Sequence, residues 1–212
     1  MLSITCSIDD GSIYDYKLAE VLDKHNIETT YYLPVNWQKY LAKKGIEPMT
    51  YPHALSIAKR FVIGSHGVNH ELLTRVDDAT QNKEIFESRT LLQGMFKQDI
   101  KSYCYPRGYY DKKIIEKVKA AGYTSARTVK VGNLNPHTSR FERATTVHVG
   151  YDRAEYGTDW YTYAVGQLDR ALDLDKNGAP VRYHFWLHGE ECHRLDQWAR
   201  LLKFIKMVSL YA

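Results

Sequence analysis

Short β-rich runs alternate with amphipathic helical stretches along the whole chain, and this alternation limits the fold more than any other feature. The pattern predicts strands at 2–8, 29–33, 61–65, 102–105, 123–127, 145–149 and 181–187. Between them, helical spacing predicts helices at 14–25 (Leu18, Val21, Leu22), 52–59, 77–96 (Ile85, Leu92, Phe96) and 111–121. Two more follow at 159–172 (Ala164, Leu168, Leu172) and 195–208 (Trp198, Leu201, Leu202, Ile205 inward). Asp111 suits an N-cap, Gly122 a helix stop, and Pro52 a helix start. The stretch 34–50 reads as irregular. Strands that alternate with helices imply βαβ units and a parallel sheet. About seven strands are too few for an eight-fold barrel, which leaves an open doubly wound sheet or an incomplete barrel. At 212 residues the chain is one domain by length, spanning 1–212. A chain of this size buries enough surface to fold without disulfides or a structural metal.

Four polar clusters each fall where a predicted strand ends: Asp9-Asp10-Gly11, Ser65 to His70, Tyr105-Pro106-Arg107-Gly108, and Leu187 to Glu191. In a parallel layer this shared position puts them all on one face. Neighbouring residues on a strand point to opposite sides, so Asp9 and Asp10 serve one site only where the chain leaves the strand, a bend Gly11 permits. Alone, Asp-Asp-Gly is usually a polar turn. His66 and His70 are spaced i, i+4; on a helical turn both imidazoles share one side, within reach of one cation. An isolated His-x-x-x-His is more often two unrelated histidines at a helix start. Two imidazoles and one carboxylate make a common catalytic zinc set. The aromatic-proline turn at 105–108 can aim a backbone N–H at a developing oxyanion, although taken alone it is merely a loop. His184, His188, Cys192 and His193 form a conceivable second metal set, but Gly189 interrupts the spacing and the run is β-rich. His184 reads instead as a core or barrel-interior residue.

These four clusters, in this order, resemble the polysaccharide deacetylase family, carbohydrate esterase family 4. The resemblance rests on Ser7-Ile8-Asp9-Asp10-Gly11, His66-Gly67-Val68-Asn69-His70, the turn from Tyr103 to Asp111, and His184-Phe185-Trp186-Leu187-His188. It implies a distorted, incomplete (β/α)7 TIM-like barrel and metal-dependent removal of N-acetyl, or O-acetyl, groups from a sugar or polysaccharide. By the same resemblance, Asp9 is the catalytic base, Asp10, His66 and His70 hold the metal, and His188 is the catalytic acid. Arg107 sits where the family turn supplies a backbone N–H. The cofactor implied is a divalent cation, zinc foremost, with cobalt and nickel accepting similar ligands.

The sequence also departs from the family pattern. Gly67 stands where a Ser or Thr is usual. Cys104 stands where many members carry the Arg that orients the base, and Arg107 is the nearest substitute. Trp186 replaces a Leu, and Arg143 is a weak match for an Asp-containing motif. Tyr109, Tyr110 and Trp160 are candidates to stack on sugar rings, Trp160 equally a core residue.

Composition excludes some classes. Lys plus Arg is 29 and Asp plus Glu is 25, a net charge of +4 without a dense basic cluster, which argues against nucleic acid. No apolar run reaches the roughly 18 residues of a membrane span. Three cysteines without a C-x-x-C imply no disulfide framework. The first residues lack signal-peptide features, which favours a cytoplasmic chain. Other readings are an amidase of the same fold acting on a non-sugar amide, an inactive sugar-binding module, and a plain structural α/β domain.

Overall fold

The computed structural model describes residues 1–212. Seven strands form one sheet in the order β5-β4-β3-β2-β1-β7-β6. They are β1 (Leu2–Asp9), β2 (Glu28–Leu33), β3 (Val62–Ser65), β4 (Ser102–Cys104), β5 (Ser125–Arg127), β6 (Val147–His148) and β7 (Val181–Leu187). Every neighbouring pair is parallel. The sheet curls into an incomplete (β/α)7 barrel, which settles the choice against an open doubly wound sheet. Residues 140–143 bond to the outer edge of β5, and the chain then runs through Thr146 into β6 beside β7, so the stretch 140–148 links the two sheet edges.

The helices are α1 (Ile13–Lys24), α2 (Trp37–Ala42), α3 (Tyr51–Ala58), α4 (Asp78–Asn82), α5 (Ser88–Phe96), α6 (Lys112–Ala120), α7 (Trp160–Lys176), α8 (Gly189–Arg194) and α9 (Trp198–Val208). No helix is long and apolar enough to cross a membrane. Alternation along each strand sorts its side chains. Ile4, Cys6 and Ile8 of β1 and Val181, Tyr183, Phe185 and Leu187 of β7 join the apolar layer beneath the helices. Their neighbours Thr5, Ser7 and Asp9, and Arg182, His184, Trp186 and His188, fall on the opposite, lumen side. The lumen is therefore a polar column inside an apolar sleeve.

Several local expectations need correction. The stretch 34–50 is not wholly irregular, because α2 lies in it and buries Trp37 and Leu41. The helix expected at 77–96 is divided: a single π-helical turn, Lys83–Glu87, separates α4 from α5. On α9, Leu202 is exposed rather than inward; Leu201, Phe204, Ile205 and Val208 make the buried face at helical spacing. Asp111 caps α6 by accepting from the Ile114 N–H, as its position suggests.

Candidate active site

The C-terminal ends of the strands open into a cavity of about 490 Å³. It is lined by Asp9, Asp10, His66, His70, Arg107 and His188, all six site residues that the sequence singles out. Asp9 ends β1, and the chain then turns through two left-handed residues, Asp10 (φ 79°) and Gly11 (φ 87°). That turn brings both carboxylates to one site. His70 (φ 61°) and Arg107 (φ 53°) are also left-handed, so three of the six such non-glycine residues lie here. Backbone strain of this kind costs of order 1–3 kcal/mol per residue and persists only where the surroundings enforce it.

His66 and His70 do not share a helix. They flank a loop beyond β3, and the turn at His70 replaces the helical spacing. The loop is held by Glu84 of the π-helical turn. Its carboxylate accepts from the Val68, Asn69 and Glu71 N–H groups and from the Asn69 side chain. A Cβ on Gly67 would come within 2.5 Å of Glu84 Oε2, so the missing Ser or Thr hydroxyl is replaced by a carboxylate that requires glycine there.

The three proposed metal ligands converge. His66 Nε2 lies 3.6 Å and His70 Nε2 3.5 Å from Asp10 Oδ1, a buried oxygen without a hydrogen-bond partner. His66 Nδ1 is 2.7 Å from the Cys104 carbonyl; that acceptor requires the proton on Nδ1 and leaves the Nε2 lone pair free. Burial, then the neighbouring His70, holds His66 well below the usual imidazole range. Burial likewise lowers His70, against the pull of Asp10. Two neutral imidazoles and an unpartnered carboxylate oxygen fit a divalent cation.

Asp9 is buried and paired with Arg127, whose Nη2 donates to Asp9 Oδ2. Arg127 is stacked between Tyr32 and Trp186 and also reaches Cys104 Sγ at 2.9 Å. Cys104 and Arg127 are register partners on β4 and β5. The small thiol leaves room for a guanidinium arriving from the next strand. The expectation that Arg107 replaces the missing arginine is therefore wrong, and Arg127 occupies that position. Asp9 Oδ1 has no partner and is free to accept a proton.

A sequence model of the polysaccharide deacetylase family matches residues 2–126. The chain belongs to that family. It is 25% identical over 133 residues to the Bacillus subtilis (strain 168) protein YxkH, assigned as a polysaccharide deacetylase, a match covering 61% of this chain and 45% of that protein. Among solved structures it resembles a protein from Mycobacterium smegmatis assigned to the same activity, with a TM-score of 0.71 at 14% identity, over 99% of this chain and 84% of that one. It also resembles the Streptococcus pyogenes deacetylase PplD in complex with acetate, with a TM-score of 0.59 at 18% identity, over 66% of this chain and 62% of that one. The chain thus spans under half the length of the curated relative it matches.

Within this deacetylase fold, His188 faces the cavity from the end of β7. Its Nδ1 lies 2.8 Å from Glu191 Oε2 and its Nε2 3.9 Å from Asp10 Oδ2. Burial alone would lower His188, but Glu191, with Asp10 and Asp9 behind it, raises it to about 10. Burial would raise Glu191, yet the imidazoles of His188 and His148 hold it well below the carboxylate range. His148 Nε2 lies 2.9 Å from the same oxygen without hydrogen-bond alignment; burial lowers it to about 4 despite Glu191.

Asp15 of α1 ties two site loops together, accepting from the Ser12 and Gly189 N–H groups. A Cβ on Gly189 would meet Asp15 Oδ1 at 2.7 Å, so glycine after His188 permits that clamp.

Among the aromatic candidates, Trp160 is a core residue, packed on Phe204 and donating to Gln197. Tyr110 stacks on Tyr105, and Tyr109 lies under Arg75. The aromatic rings that line the cavity are Tyr40, Tyr151 and Trp186. The second metal set is not assembled. His184 lies in the lumen between the Thr5 and Ser7 hydroxyls, and His193 stacks on Tyr14.

Proposed function

We propose that this chain is a single catalytic domain that removes N-acetyl groups from a sugar of a glycan, using a divalent cation. The observation that carries the reading is the unpartnered Asp10 Oδ1 facing the Nε2 atoms of His66 and His70. Those three residues would hold the ion; their N2O donor set suits zinc, and cobalt or nickel accept the same ligands. Such an ion, when bound, lowers the pKa of water and polarises a carbonyl.

The chain's own residues supply the proton transfers. Asp9 Oδ1 takes the proton of the attacking water, while the bond from Arg127 to Oδ2 fixes the carboxylate's direction. His188 stays protonated because Glu191 accepts at its Nδ1, which leaves Nε2 to deliver a proton to the departing nitrogen. An amine cannot leave as an anion, so a standing acid suits N-acetyl over O-acetyl substrates. The turn at Arg107 offers a backbone N–H to the tetrahedral oxyanion. Tyr151, stacked on His148 and partly exposed, offers its outer ring face to a sugar.

The test is acetate release from N-acetylated chito-oligomers and from O-acetylated xylan, with the chain stripped of metal and then reloaded with zinc. Zinc-dependent release from the amide substrate is expected, reduced about 10²–10⁴-fold in His188→Ala. No release from any acetylated glycan would overturn the reading; release only from a non-sugar amide would make the chain an amidase of this fold.

A further inference from the structure

The lumen has a second opening at the N-terminal ends of the strands, with a cavity of about 250 Å³. From Ser3 to Asp9 is six residues of strand, roughly 20 Å at about 3.3 Å per residue, so its rim lies well away from the acid-histidine site. Three arginines line it, Arg127, Arg143 and Arg182, with Glu28 as the lone carboxylate. Glu28 is exposed at the start of β2. Arg127 is only 3% exposed. The Nε atoms of Arg127 and Arg182 are both buried and have no hydrogen-bond partner.

Buried donors without partners are rare and costly. The charges around them compound the problem. Burial, then the positive Arg143, lowers Arg182, with Arg127 adding to the effect. Burial and the same arginines hold His184 well below the imidazole range, so it is neutral here. Asp9 neutralises Arg127, which also donates to the Thr128 carbonyl, whereas Arg143 and Arg182 form no ion pair and Arg182 donates one nitrogen to the Ala144 carbonyl.

We propose that this N-terminal mouth is a binding site for a small tetrahedral oxyanion, of the phosphate class, held between Arg127, Arg143 and Arg182. Guanidinium groups bind phosphate oxygens through paired N–H donors, and the unpartnered Nε atoms are such donors. The Thr30 hydroxyl lines the same cavity and can add a neutral hydrogen bond. None of the proposed metal ligands lines this mouth, and Arg127, which also holds Asp9, is the one residue it shares with the other end.

The probes are inorganic phosphate and glucosamine 6-phosphate, titrated calorimetrically into the metal-free full-length chain. Saturable binding of phosphate is expected, weakened at least tenfold in Arg182→Gln and largely kept in Arg182→Lys. Tighter binding of the sugar ester than of phosphate assigns a phosphomonoester as occupant; equal or weaker binding assigns the free ion. Zinc affinity, measured on the same samples, should be unchanged in Arg182→Gln. Wild-type crystals soaked in tungstate guard against a misfolded variant: anomalous density between Arg127 and Arg182 supports the site. No saturable phosphate binding, or tungstate found only beside Arg107 in the other mouth, would overturn it.

Discussion

The two ends of the lumen are built from the same strands and carry opposite charge. At the C-terminal end, Asp9, Asp10 and Glu191 face His66, His70, His148 and His188. At the N-terminal end, Arg143 and Arg182 stand with Glu28 as the only acid. Position along a strand decides which end a residue serves: Arg182, His184 and Trp186 alternate along the lumen side of β7, and His188 follows just past its end. Arg127 belongs to both ends, with Nη2 on Asp9 and Nε unpartnered. The contrast teaches that the acid-histidine end is held by an ion pair reaching up from below, Arg127 to Asp9, as well as by its own loops.

Arg127→Met should break the comparison most severely. It strands the buried Asp9 charge, and removing one partner of a buried pair costs about 3–5 kcal/mol. Unfolding in denaturant should register that loss, and turnover should fall with it. Adding Asp9→Asn should recover most of the stability while leaving turnover abolished, because the orphaned charge is gone but so is the proposed base. A double variant as unstable as Arg127→Met would remove the pairing argument.

Gly67→Ala should damage one end only. The new Cβ meets Glu84 Oε2 and the residue sits at φ 85°, so about 1–3 kcal/mol of stability should be lost. Zinc affinity should fall because Glu84 no longer holds the histidine loop. Unchanged zinc titration in a folded variant would mean that the loop is held by something else.

Glu191→Gln gives the smallest and most specific effect. His188 is raised to about 10 in the folded chain, against an ordinary value of about 6.5. Its stabilising contribution is therefore full below about pH 6.5 and lost as pH rises through about 10. The variant removes the main raising influence, so the alkaline limb of kcat should move to lower pH. The stability gap between wild type and variant should close as pH rises through about 10. A pH profile identical to wild type would rule Glu191 out as the partner of His188.

Much of this was legible in the sequence for physical reasons. Alternation of period 2 and helical spacing come from burial, and burial locates the strands. The Asp-Asp-Gly and His-x-x-x-His clusters are local, so their residues read together. Arg127, His148, Glu84 and Asp15 were not singled out, because each acts across a long sequence gap. Arg127 meets Asp9 over 118 positions, and Asp15 meets Gly189 over 174. A charged residue closing an otherwise buried strand, as Arg127 closes β5, is the one signal that could have exposed it. Of the two readings open for Trp160 the core one holds, whereas Leu202, apolar and at helical spacing, faces solvent.

The central claim is that adjacent aspartates have separate duties, Asp10 toward a cation and Asp9 toward a proton. The most direct measurement is zinc stoichiometry and acetate release, side by side, for Asp9→Asn and Asp10→Asn. The account predicts that Asp10→Asn loses zinc affinity, because a ligating charge is removed. It predicts that Asp9→Asn keeps the metal and loses about 10²–10⁴ in turnover. Zinc lost from Asp9→Asn and retained by Asp10→Asn, or neither quantity changed in either variant, would contradict it.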